Sequence, residues 1–118
     1  EEDSLFRMNS LDRFRYTMRI NGLPQVAAIA LDCNHIAALD LTDPIAFALI
    51  DVDLYRPTRT ALAYVLDHAS PGAWILVDDC VADTPFDGSL QALEELSQER
   101  GIPFSVQVGK LGLIRVPA

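Results

Sequence analysis

Glycine is scarce in this chain and poorly spaced for one common task. The six glycines are Gly22, Gly72, Gly88, Gly101, Gly109 and Gly112. No two stand at G-x-G spacing, so the glycine-rich ligand-binding loop that often follows the first strand of an α/β sheet is absent. Positive charge is also short. Nine Lys and Arg stand against 17 Asp and Glu, a net charge of −8 and a pI of about 4.4. That balance argues against nucleic acid or an anionic membrane as a partner. The two cysteines, Cys33 and Cys80, match no zinc or redox spacing, and a reduced, cytoplasmic compartment is the expectation. No apolar run reaches the roughly 18 residues of a membrane span, and no signal peptide is visible. Repeats and low-complexity segments are missing too.

What is present suits one globular domain over residues 1–118. Half of the residues are hydrophobic and 22% are charged, ordinary values for a packed domain. The chain opens Glu1-Glu2-Asp3 rather than with Met, which reads as mid-chain sequence. Ser10 is placed to cap a helix carrying Leu11, Phe14 and Met18 on one face, with Gly22 and Leu23 as its stop. Gln25 to Ala30 is a short strand candidate, and Cys33 to Leu39 a brief helical turn. Ile45 to Ile50 is continuously apolar, as in a central parallel strand covered on both faces. Thr58 to Ala69 carries Ala61, Leu62, Val65, Leu66 and Ala69 as one helical stripe. The turn Ser70-Pro71-Gly72 then leads into a second buried strand, Ala73 to Val77, with Trp74 expected in the core. Asp87 is placed to cap a helix bearing Leu90, Leu93 and Leu96, closed by Gly101. Phe104 to Val108 and Leu111 to Val116, separated by Gly109-Lys110, predict an antiparallel hairpin. The fold class is α/β: a partial Rossmann-like sheet of about five strands, parallel at its centre, with a C-terminal antiparallel hairpin.

Strand, helix and strand from Ile45 to Val77 form a βαβ unit, whose crossover makes the two strands parallel. Both carboxyl ends then open on one sheet edge, where open α/β sheets bind ligands. Asp51 follows the first strand, and Asp78 and Asp79 follow the second. Three carboxylates this close repel one another unless a cation compensates. A hard, oxygen-seeking ion such as Mg²⁺ suits them. The plainer alternative is that they solvate the sheet edge or cap the next helix.

The ordered set Asp51-Val-Asp-Leu-Tyr55, Pro57-Thr58, Ser70-Pro-Gly72 and Val77-Asp-Asp79 resembles the macrocin-type sugar O-methyltransferases. These are a metal-dependent branch of the class I S-adenosylmethionine (SAM) methyltransferases. Phe14…Arg19…Asn21-Gly-Leu23 and Gln98-Glu-Arg-Gly-Ile102 extend the likeness over nearly the whole chain. The family pattern has Gly where this chain has Val52, Gly for Ala73, and Tyr for Cys80. The resemblance implies that Asp51, Asp78 and Asp79 ligate Mg²⁺, and that Asp53 accepts a proton or orients a ligand. It further implies that Tyr55 lines the sugar site and that Cys33 and Asn34 border the cofactor. The donor would be SAM, and the acceptor a hydroxyl of a sugar or other small natural product. The absent glycine loop implies that only the C-terminal half of such a domain is represented.

Two other readings compete. A methyltransferase-like remnant without catalysis would survive as an assembly partner, because missing strands leave open edges that favour association, as a homo-oligomer or with a separate N-terminal segment. An aspartate, an acidic pair and Lys110 also resemble the receiver domain of two-component signalling, although there the acidic pair precedes the phospho-acceptor. His35 and His68 are poor catalytic candidates, and His68 is expected at the surface near a helix C-terminus. Cys80 is expected as a buried small hydrophobe.

Overall fold

The structure, a computed structural model, describes residues 8–85 and 87–118. The opening Glu1-Glu2-Asp3 lies outside them. The chain divides into two compact units, Glu1–Leu31 and Asp32–Ala118.

In the first unit, helix α1 spans Leu11–Ile20. Ser10 caps it as expected: its hydroxyl accepts from the Arg13 amide at 3.1 Å, which satisfies one of the free first-turn donors. The other end closes as a Schellman motif. Leu23 donates to the Met18 carbonyl and Gly22 to that of Arg19, with Gly22 left-handed at φ 73°. The apolar stripe is present, but α1 contains no fully buried residue. Gln25 to Ala30 forms no strand. Three of its six residues are alanine, which has little strand preference, and no neighbouring strand pairs with it.

The second unit begins with a 3-10 helix, Cys33–Ala38, capped by Asp32, whose carboxylate accepts from the Asn34 amide. Four strands follow: β1 (Ile45–Ile50), β2 (Ala69–Val77), β3 (Phe104–Gln107) and β4 (Leu111–Arg115), with α2 (Tyr55–His68) and α3 (Gly88–Arg100) between them. The sheet order is β1-β2-β4-β3. β1 and β2 are parallel, and the other two pairings are antiparallel. The sheet thus has four strands among the described residues rather than five. Its antiparallel half also excludes the receiver arrangement, whose sheet is parallel throughout.

One face of the sheet carries the core. Ile50, Ile75, Val77 and Ile114 join Leu62 and Val65 of α2 and Leu93 and Leu96 of α3 in a single buried cluster. Burying these eight side chains is the main drive for this two-layer packing. Gly112 of β4 is required for the closeness of that packing. A Cβ there would lie 2.3 Å from Leu93 Cδ2 and 2.7 Å from Cys80 Sγ.

Three local expectations differ from the structure. First, β1 is an edge strand rather than a central one, with Phe47 61% and Leu49 56% exposed. Alternation puts these two side chains on the face opposite the helices, which the second unit leaves uncovered. Trp74 shares that face at 43% exposure, with the Arg115 guanidinium 4.8 Å from its ring centre, so it is not a core residue. Second, Ser70-Pro-Gly72 lies within β2 instead of preceding it. Ile45 pairs with Ala69 but Phe47 with Trp74, so this segment bulges, and Gly72 adopts φ 77° while donating to Val116 O. Third, Asp87 stands at the start of α3 but in helical conformation, and its side chain makes no capping bond.

Candidate functional site

The parallel register decides which carboxylates meet. Ile50 and Val77, the last residues of β1 and β2, are partners, and Asp78 N donates to Ile50 O at 2.9 Å. The next side chains, Asp51 on one strand and Asp78-Asp79 on the other, are therefore delivered to the same edge. One carboxylate oxygen from each of Asp51, Asp78 and Asp79 lies within 4.8 Å of the others. Asp79 (φ 54°) and Asp53 (φ 59°) are both left-handed, a conformation that Asp tolerates better than most residues. These two reversals turn the chain at each strand end and gather the acidic groups.

The cluster carries its own cation. Lys110 Nζ lies 2.9 Å from Asp78 Oδ1 and 3.5 Å from Asp79 Oδ1, and donates to Asp78 Oδ2 at 3.0 Å. Asp78 Oδ1 is shielded from solvent and makes no hydrogen bond. The ion pair at 2.9 Å is thus an electrostatic contact without hydrogen-bond alignment. The hydrogen bond from Lys110 holds the Asp78 carboxyl below its ordinary range, and the same bond raises the Lys110 ammonium. Asp53 is pushed the other way, by partial desolvation and by the charges of Asp51, Asp79 and Asp78. Asp53 is exposed, with three like charges as neighbours that disfavour its ionised form.

The donor set is compatible with a divalent ion. Three carboxylate oxygens are the chemistry that Mg²⁺ and Ca²⁺ select. Two oxygens across a Mg²⁺ ion stand about 4.2 Å apart and across Ca²⁺ about 4.8 Å, from bond lengths of about 2.1 and 2.4 Å. The three oxygens, all within 4.8 Å of one another, are close enough to converge on one ion.

Tyr55, Asn34 and Cys33, the remaining predicted site residues, make local contacts of their own. The Tyr55 hydroxyl donates to Glu95 of α3, and Arg59 bridges Glu95 and Glu99, so this group clamps α2 to α3. Gly88 makes the clamp tight, since a Cβ there would meet the Tyr55 amide nitrogen at 2.7 Å. Asn34 turns its side-chain amide back to Asp32 at 3.0 Å, and Cys33 begins the same 3-10 helix. His35 and His68 are exposed; His68 stacks on Tyr64 at the end of α2. Cys80 is buried and burial raises its thiol, as a core role requires. The Lys110 contact and the Tyr55–Glu95 clamp were not legible as site features, since each joins residues more than 30 positions apart.

No protein-family model matches the sequence, and no curated protein is significantly similar to it. Solved structures are similar in fold. The apo structure of CalS11, a TDP-rhamnose 3'-O-methyltransferase of calicheamicin biosynthesis, superposes with TM-score 0.61 at 19% identity over 89% of this chain. The chain spans about half of CalS11, 49% of its length. SMU.1697c, a proposed methyltransferase of Streptococcus mutans solved in complex with SAH, gives 0.68 at 15% identity, covering 89% of this chain and 69% of that one. A proposed rRNA methylase of Clostridium thermocellum gives 0.68 at 10% identity, over 96% and 72% of the two chains. The fold is that of a methyltransferase-like Rossmann sheet, and its acidic cluster lies at the carboxyl ends of the two parallel strands.

Proposed function

We propose that this chain provides the acceptor side of a SAM-dependent, divalent-metal-dependent O-methyl transfer to a hydroxyl of a sugar or similar small natural product. The observation that carries the reading is the meeting of Asp51, Asp78 and Asp79 at the ends of two parallel strands. The SAH bound to SMU.1697c and the sugar acceptor of CalS11 support the donor and acceptor classes. Asp51, Asp78 and Asp79 would hold Mg²⁺. The ion would supply Lewis-acid polarisation of an acceptor hydroxyl. Asp53, beside the three ligands and raised by partial desolvation and by their charge, is the group to accept the hydroxyl proton as the methyl group is transferred. Tyr55 acts by holding α2, the element that follows Asp53, against α3. Cys33 and Asn34 are the candidates for cofactor contact. No helix among the described residues is long and apolar enough to cross a membrane; a cytoplasmic setting is part of the proposal.

Water-proton relaxation with Mn²⁺ as the probe tests the reading. Wild type should enhance relaxation at submillimolar ion, Asp78→Asn should not, and a vicinal diol on a TDP-sugar should alter the enhancement. Equal, weak enhancement for both proteins sinks the metal reading.

One feature favours a second reading, that of a non-catalytic assembly partner. Phe47, Leu49 and Trp74 expose a broad apolar sheet face beside the open edge of β1, and such a surface favours homo-oligomers or pairing with another segment.

A further inference from the structure

The metal reading leaves one residue of the site without a role. Lys110 is not a surface lysine that merely drifts near an acid. Val108 (φ 45°) and Gly109 (φ 78°) are consecutive left-handed residues that turn the β3–β4 hairpin back sharply. Lys110 N donates to Gln107 O at 3.1 Å, and the Lys110 carbonyl accepts from Cys80 N at 2.7 Å. Its backbone is therefore tied to the residue that follows the Asp78-Asp79 pair. The side chain starts beside its target, and little freedom is lost in reaching it.

We propose that Lys110 is a tethered cation that occupies the acidic cluster when no metal is bound, and that a divalent ion must displace it to bind. This rests on the metal reading above. The ammonium and a metal would share the carboxylates of Asp78 and Asp79, since Nζ lies 2.9, 3.0 and 3.5 Å from Asp78 Oδ1, Asp78 Oδ2 and Asp79 Oδ1. An ammonium and a divalent ion at those distances from shared oxygens would also repel strongly. Among the described residues, no other cation is paired with Asp51, Asp53, Asp78 or Asp79. Lys110 thus offsets part of the repulsion among the four carboxylates, through Asp78 and Asp79. Departure is feasible because the Lys110 side chain is 50% exposed, and its head can move into water while the hairpin stays in place. Asp78, at 19% exposure, remains to receive the ion. Metal binding is accordingly an exchange of one cation for another, and apparent affinity is lowered by the strength of the lysine contact.

Lys110→Met keeps the aliphatic stem and removes the charge. Charge-assisted hydrogen bonds contribute more than neutral ones, less where half-exposed, so the variant should bind Mn²⁺ roughly tenfold more tightly. Calorimetric titration of Mn²⁺ into wild type, Lys110→Met, Asp78→Asn and the double variant reads this directly. Tighter binding by Lys110→Met, abolished by Asp78→Asn in both backgrounds, supports the exchange. Equal affinity of wild type and Lys110→Met, with Asp78→Asn still deficient, overturns the role of Lys110 and leaves the metal site standing. Weaker binding by a folded Lys110→Met overturns it as well, because Lys110 would then be organising the site. No binding by any protein removes both. Should Lys110→Met fail to fold, the wild type alone decides. The lysine ¹⁵Nζ resonance of Lys110 should lose its hydrogen-bonded shift as Mg²⁺ is added, and an unchanged resonance at saturating Mg²⁺ overturns the proposal.

Discussion

The contact at Gly112 allows the packing that supports the site to be tested quantitatively. A methyl group at this position would sit 2.3 Å from Leu93 Cδ2, more than an ångström short of an ordinary 3.4 Å contact, and 2.7 Å from Cys80 Sγ. Gly112 is not among the positive-φ residues, so alanine fits the backbone and any cost of Gly112→Ala arises from side-chain overlap. Forcing a methyl group into a packed core costs about 1–3 kcal/mol. Leu93 is fully buried, and Leu93→Ala should cost about 3 kcal/mol through lost transfer energy and a cavity. The two changes oppose each other in space. The added methyl occupies part of the volume that the leucine vacates, and Cys80 gains room to rotate. The double variant should therefore be less destabilised than the sum of the single changes by at least about 1 kcal/mol. Urea unfolding at constant m-value provides the four free energies. Costs that add to within about 0.5 kcal/mol would refute the reasoning. It would follow that α3 and β4 are not seated as described, and with them the hairpin that carries Lys110.

Other consequences concern the helix clamp and the open sheet face. Glu95 is lowered below its ordinary 4.5 by the Tyr55 hydroxyl first, then by Gln91 and Arg59. A depressed carboxyl contributes stability that is present above pH 4.5 and is lost as pH falls through its folded value. Glu95→Gln and Tyr55→Phe should each flatten the acid side of the stability profile, and thermal melts from pH 6 to 3 with slopes equal to wild type would contradict the clamp. Phe47, Leu49 and Trp74 present apolar surface next to an unpaired strand edge, so the protein should self-associate as its concentration rises, and Phe47→Lys with Leu49→Lys should suppress this. Light scattering across a concentration series measures it, and a monomer near the chain mass of 13.0 kDa at the highest concentration would contradict the expectation.

Much of the fold was legible because its signals are local. Ser10, Gly22 and Gly101 mark helix ends through backbone requirements that a single residue can meet or fail, and all three act as their types predict. The stripe Ala61, Leu62, Val65 and the alternation of the last hairpin follow from the 3.6- and 2-residue periods. The βαβ order alone dictates that Asp51 and Asp78-Asp79 meet at one edge, because parallel strands share their carboxyl ends. Other features depended on neighbours that no period encodes. An apolar run such as Ile45 to Ile50 reads the same at the centre or the edge of a sheet, and only pairing placed it at the edge. Trp74 alternates correctly along β2, but which face the helices cover was settled by packing. Gln25 to Ala30 failed as a strand for want of a partner. The counter-charge to the aspartates, Lys110, came from a hairpin 32 residues downstream of Asp78, since it is chain return in three dimensions, rather than spacing, that brings an ammonium to a carboxylate.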